Sequence, residues 1–165
     1  MDVFGKTLAI FFLTSMMLLL GAAPPAVAGN AVPATVAKTD KCPVCGMFVA
    51  KYPDFLAQII FSDDSHAFFD GAKDMFKYYF NLKKYNAAKD RADIAAIYVT
   101  DYYSMTPIDG RTAWYVVGSD VFGPMGRELM PFQKESEAKE FMKDHFGKQL
   151  LRFDGVTPEV MKGLE

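Results

Sequence analysis

From residue 55 onward the chain alternates short apolar runs of strand character with segments of helical spacing, separated by polar turn formers. Residues 55–61 (Phe-Leu-Ala-Gln-Ile-Ile-Phe) are rich in β-favouring side chains. Ser62-Asp63-Asp64-Ser65 is a turn, and His66–Phe69 is a returning strand, so the pair predicts a hairpin. Asp70 stands where an N-cap would stand for a helix over 71–82, in which Met75, Phe76, Tyr79 and Phe80 recur on one face. Residues 94–101 return to strand character, and the first half therefore has the order ββαβ.

The second half repeats that order in architecture, though few residues match. Residues 112–117 (Thr-Ala-Trp-Tyr-Val-Val) predict a strand, 118–126 a glycine-rich loop and 128–132 a short strand. Residues 135–146 predict a helix, with Ala138, Phe141, Met142 and His145 at positions i, i+3, i+4 and i+7, and 149–153 close as a strand. Pro107 and Asp109-Gly110 mark 104–111 as the joint. The expectation is an α+β fold of two similar ββαβ modules packed together, residues 41–106 and 107–165.

The amino-terminal segment has a different pattern. Lys6 precedes an almost wholly apolar run over 7–20, and Ala26-Val27-Ala28 supplies small residues ahead of Gly29, the arrangement of a signal peptide over 1–28. Pro24-Pro25 ends the apolar run, which is short for a membrane span; left uncleaved it would act as an anchor. Export to the periplasm is the reading, with 29–40 as an exposed flexible tether. The 165 residues, 51% hydrophobic and 15% aromatic, suffice for a folded core. A net charge of -2 and the lack of a Lys/Arg block exclude general attraction to nucleic acid.

The only two cysteines fall in Cys42-Pro43-Val44-Cys45-Gly46-Met47, which gathers two thiols and a thioether within six residues. Such soft donors suit Cu(I). Other readings of an exported CxxC stay open: a small structural disulfide, or a redox pair in a thiol-disulfide oxidoreductase. Structural zinc lacks ligands, because there is no second CxxC and the chain has only His66 and His145. A thioredoxin-like site would place its CxxC at the start of a helix, whereas here Gly46 follows at once and the next regular element is a strand.

Met125, in Gly123-Pro124-Met125-Gly126, has neighbours that provide no apolar wall, so it is a second candidate ligand; the plainer alternative is a gap-filler beneath the loop. His66 is a candidate copper ligand or a solvated partner of Asp63 and Asp64, and His145 suits the last turn of a helix. Tyr78-Tyr79-Phe80, Tyr102-Tyr103 and Trp114 are expected in core and rim. No nucleotide loop and no nucleophile-base arrangement is present, so no enzymatic activity is expected.

CPVCGM, Phe68-Phe69-Asp70, Gly123 through Gly126, Pro131-Phe132 and Leu151-Arg152-Phe153 together, in this order and spacing, resemble the NosL family over about residues 41–154. The resemblance implies a periplasmic Cu(I) metallochaperone serving nitrous-oxide reductase as client, supplied by a membrane copper source or maturation complex. By residue, the family's Cys-x-Met pair falls on Cys45 and Met47 and its loop methionine on Met125, with Cys42 as the additional thiol of this variant. Many members are lipoproteins, and no cysteine stands at this chain's expected cleavage point, a departure from the family pattern that bears on the means of membrane attachment and on which client is served.

Overall fold

The computed structural model describes residues 32–165, so the expected leader over 1–28 lies outside the described residues. Two antiparallel sheets carry the α+β architecture. The first has the strand order β2-β1-β3-β4 and the second β6-β5-β7. In chain order the elements are β1 (Ala57–Phe61), β2 (His66–Phe69), α1 (Ala72–Phe80), α2 (Leu82–Tyr85), β3 (Ile94–Thr100), β4 (Pro107–Asp109), β5 (Trp114–Gly123), β6 (Gly126–Phe132), α3 (Glu135–Asp144), β7 (Gln149–Arg152) and α4 (Pro158–Lys162).

The first sheet is built around β1, whose five residues are all buried. Its alternation sends Ala57, Ile59 and Phe61 into the main core, while Gln58 and Ile60 face the other way. Gln58 is 2% exposed because the amino-terminal segment covers it, and its Oε1 accepts a bond from Ala34 N–H at 2.8 Å. The segment expected as a free tether is therefore partly docked, with Ala34 and Val36 packed on the core. Residues 107–109, assigned to the joint and the second half, form β4 and pair with β3, so the first sheet extends past the expected boundary at 106.

The second sheet is apolar on both faces, which explains its unbroken Tyr115-Val116-Val117 run. Tyr115, Val117 and Leu129 join the main core, and Val116, Met130 and Phe132 pack with Ala138 and Phe141 of α3 in a second cluster. The main core also takes Met75 and Phe76 of α1, Phe153, and Met161 and Leu164 from the carboxy-terminal turn, so the two modules share one interior. Asp101, 1% exposed, joins the sheets at their ends: its Oδ2 accepts from Gln133 N–H at 2.7 Å, and Tyr102 N–H donates to Pro131 O at 2.9 Å.

Three local expectations change. The glycine-rich loop expected over 118–126 is mostly strand: β5 runs through Gly123 with a register shift between Val117 and Phe122, and only Pro124 and Met125 separate it from β6. Asp70 does not cap α1; Gly71 holds the N-cap position, and the Asp70 side chain turns to Cys45. Helix α4, capped by the Thr157 side chain, had no counterpart in the strand and helix pattern.

Candidate metal centre

Residues 40–49 form a tight loop that presents the two cysteines. Asp40 O accepts from Val49 N–H at 3.0 Å, Met47 O from Cys42 N–H at 2.9 Å, and Cys42 O from Gly46 N–H at 2.9 Å. Gly46 lies at φ +80°, with open space where a Cβ would sit, so glycine is required there by the backbone conformation. Both cysteines are free thiols, Cys42 buried and Cys45 half-buried.

Each thiol faces a carboxyl group from the start of α1. Cys42 Sγ donates to Asp74 Oδ2 at 3.3 Å, and Cys45 Sγ donates to Asp70 Oδ1 at 3.2 Å. One ligand atom from each of Cys42, Cys45, Asp70 and Asp74 lies within 4.8 Å of the others. Asp70 is 1% exposed and its Oδ2 has no hydrogen-bond partner among the described residues, an unsatisfied buried oxygen beside two thiols. Four side chains that all gain negative charge on ionisation form a cluster that a cation would complete.

Burial dominates the acid-base character of the thiols. It pushes Cys45 up to about 12, with Asp70 and Asp74 adding to the rise and Met47 N–H opposing it. Cys42 is raised further, again chiefly by burial, while the Cys45 and Val44 N–H groups pull the other way. Thiols pushed up in this way favour the protonated form near neutral pH, which sets the pair apart from a reactive redox CxxC. A metal must displace the thiol protons, and the loop N–H groups stand ready to support the thiolates that result.

Of the sequence candidates, Cys42 and Cys45 come together. Met47 shares their loop and is half-buried. Met125 is 45% exposed in the β5–β6 turn, and its carbonyl accepts from Lys73 Nζ of α1 at 2.6 Å, which brings that turn against the helix end bearing Asp70 and Asp74. His66 is exposed at the start of β2, four residues or about 13 Å of strand from Asp70. It is outside the cluster that Cys42 and Cys45 form with Asp70 and Asp74. His145 pairs with Asp120 at 3.0 Å and stacks on Phe141 at 4.4 Å. Asp70 and Asp74 were missed as site residues. Their signal was a spacing of four across the start of an amphipathic helix, which puts both on one side of it.

A Glu128 carboxyl group from β6 completes the helix end. It is 4% exposed, and its Oε1 accepts from Lys73 N–H at 2.5 Å and Leu129 N–H at 2.9 Å. It thus satisfies an open N–H of α1 from another element, in place of the side-chain cap that α1 lacks.

Fold and site together define a class: small α+β proteins that offer a sulfur-bearing loop to a metal ion. The chain belongs to the NosL family, whose family model matches residues 33–161. A copper-binding lipoprotein NosL of Stutzerimonas stutzeri is 29% identical over 132 residues, covering 75% of this chain and 65% of the relative, so the chain spans just under two thirds of that relative's length. The crystal structure of the copper chaperone NosL from Shewanella denitrificans has the same fold, with a TM-score of 0.67 at 24% identity over 78% of this chain and 97% of that one.

Proposed function

We propose that this protein is an exported Cu(I) carrier that receives copper from a membrane source and passes it to a copper enzyme, with nitrous-oxide reductase as the client. The observation that supports this most is the meeting of Cys42 and Cys45, held as free thiols by Asp74 and Asp70 in one part-exposed cluster. One thiolate formed on loading would neutralise a monovalent ion and a second would leave the site with a single negative charge, and the soft sulfur donors match Cu(I) better than the harder divalent ions. Half-exposure of Cys45 leaves one ligand open to a thiol or thioether of a partner, so copper could move by ligand exchange. Family membership and the relative's copper-binding description support the same reading.

The carboxyl groups act before the metal arrives. Their S–H···O bonds fix both sulfurs, and their negative charge opposes thiolate formation, so the empty site is guarded against chance reaction. This is a poor arrangement for a disulfide oxidoreductase, whose attacking sulfur must be a thiolate near neutral pH.

The test is a Cu(I) competition titration against a chromophoric chelator under reducing conditions. One equivalent should bind to the wild type, with binding lost in Cys42→Ser/Cys45→Ser. Undiminished Cu(I) binding by the double serine variant would refute the proposal, as would turnover of a disulfide substrate by the metal-free protein.

A further inference from the structure

Lys73 is 3% exposed, an unusual position for an ammonium group, and its main-chain and side-chain bonds both lead to β6 and the turn before it. Its Nζ donates to Met125 O at 2.6 Å, and its N–H donates to Glu128 Oε1 at 2.5 Å. The neighbouring residue on the helix, Asp74, accepts from Cys42 Sγ at 3.3 Å. One turn of α1 is therefore bonded on one side to the cysteine loop and on the other to the Met125 turn.

The Met125 turn is stiff in itself but needs an anchor. Pro124 fixes one φ, and Gly126, at φ +86°, takes a backbone conformation that other residues rarely adopt. Gly123 lies against the Glu128 side chain, with its would-be Cβ 3.0 Å from Glu128 Cγ. These features settle the shape of the turn. Its placement over α1 comes from Lys73, since a buried ammonium must keep its acceptor and Met125 O supplies it. Met125 itself remains 45% exposed, so its thioether is tethered by its own backbone without being buried.

We infer that Lys73 is a positioning residue for the metal site: it fastens the Met125 turn to the same helical turn whose Asp74 holds Cys42, and so sets the Met125 thioether to add a further sulfur to the thiol pair. The inference rests on the copper reading and extends it to how a distant ligand is delivered. Lys73 touches no metal.

The experiment is a double-mutant cycle on Cu(I) affinity, using Cu(I) with a competing chelator and the full reduced protein. Met125→Leu should weaken binding about tenfold. Lys73→Met should weaken it similarly, and adding Met125→Leu to Lys73→Met should then change little. If Met125→Leu costs the same factor in both backgrounds, Lys73 is merely structural and the inference is overturned. A second readout needs no Lys73 variant: with ¹³C-methyl methionine, the Met125 methyl signal of the wild type, assigned through Met125→Leu, should move on addition of one equivalent of Cu(I). Binding of Cu(I) without movement of that signal overturns the inference and leaves the carrier function standing; failure of the wild type to bind Cu(I) overturns the carrier function itself.

Discussion

The carboxyl clamp on α1 makes Gly71→Ala a severe change at an innocuous-looking position. Gly71 has φ −175° and ψ 160°, extended backbone that alanine adopts freely, so no conformational strain is involved. The obstacle is Glu128: a Cβ on residue 71 would lie 2.1 Å from Oε2 and 3.0 Å from Cδ. The carboxyl group cannot swing aside cheaply, because its Oε1 holds Lys73 N–H and Leu129 N–H and it is 4% exposed. Either both bonds break or the start of α1 moves off β6. Leaving buried polar groups unsatisfied costs about 1–3 kcal/mol each, so the expected loss is about 3 kcal/mol, a large part of a domain's usual 5–15 kcal/mol. At a urea slope of about 1.5 kcal/mol per molar, the midpoint should fall by about 2 M. The assay is urea unfolding of the reduced protein followed by circular dichroism, repeated in a Glu128→Ala background, where the clash is gone and the alanine should cost little. A loss below about 1 kcal/mol, or an equal loss in both backgrounds, would refute the close approach of Glu128.

Other outcomes follow from the same geometry. With its pKa pushed up to about 12, Cys45 should be alkylated at pH 8 about a thousandfold more slowly than in the urea-unfolded chain; rates within threefold of each other would contradict the buried, carboxyl-paired thiol. Burial pushes Glu128 up to about 8, against the pull of the Leu129 and Lys73 N–H groups and the Lys73 ammonium, with Asp74 adding to the rise. The folded state then keeps a proton that the unfolded chain loses near 4.5, so this group's contribution is complete below that pH and is lost as pH rises through about 8. Urea midpoints should fall between pH 5 and 8.5, and Glu128→Gln, which keeps an acceptor oxygen, should flatten that fall; an identical pH profile in the variant would show that another group titrates. Tyr115→Phe removes a buried hydroxyl that donates to Gly110 O at 2.6 Å and should cost about 1–2 kcal/mol in the same unfolding measurement, whereas a neutral change would mean the carbonyl finds another donor.

Much of the fold was legible because burial writes a period into the sequence. His66–Phe69 has the bounds its pattern predicted, and α1 and α3 run within two residues or so of their expected limits. The failures have physical causes. Residues 118–126 contain three glycines and a proline, a composition that normally breaks strands, yet β5 continues because its partner β6 supplies the hydrogen bonds and a register shift absorbs the irregularity. Strand β4 is three residues long, too short to show a period, and exists because β3 offers it an open edge. Helix α4 spans five residues and is held by Met161 and Leu164 in the main core, a tertiary cause that local pattern cannot reveal.

The site divides along the same line. Cys42 and Cys45 were visible as a pair because they sit within one short loop, where spacing alone brings their thiols near one another. Asp70 was visible, but its place before a helix suggested a cap, a role that needs only local geometry. The role it has depends on where the cysteine loop lies in space, 25 residues away along the chain. Lys73 and Glu128 were still less legible, since a lysine and a glutamate in amphipathic elements ordinarily face solvent. Their burial is explained only when three segments meet: the Met125 turn supplies an acceptor for the ammonium, α1 supplies an open N–H for the carboxyl group, and Gly71 supplies the room. Sulfur-bearing residues thus announce themselves in residue types, whereas the polar scaffold around them is encoded in pairings across 52 and 55 residues and becomes readable only in three dimensions.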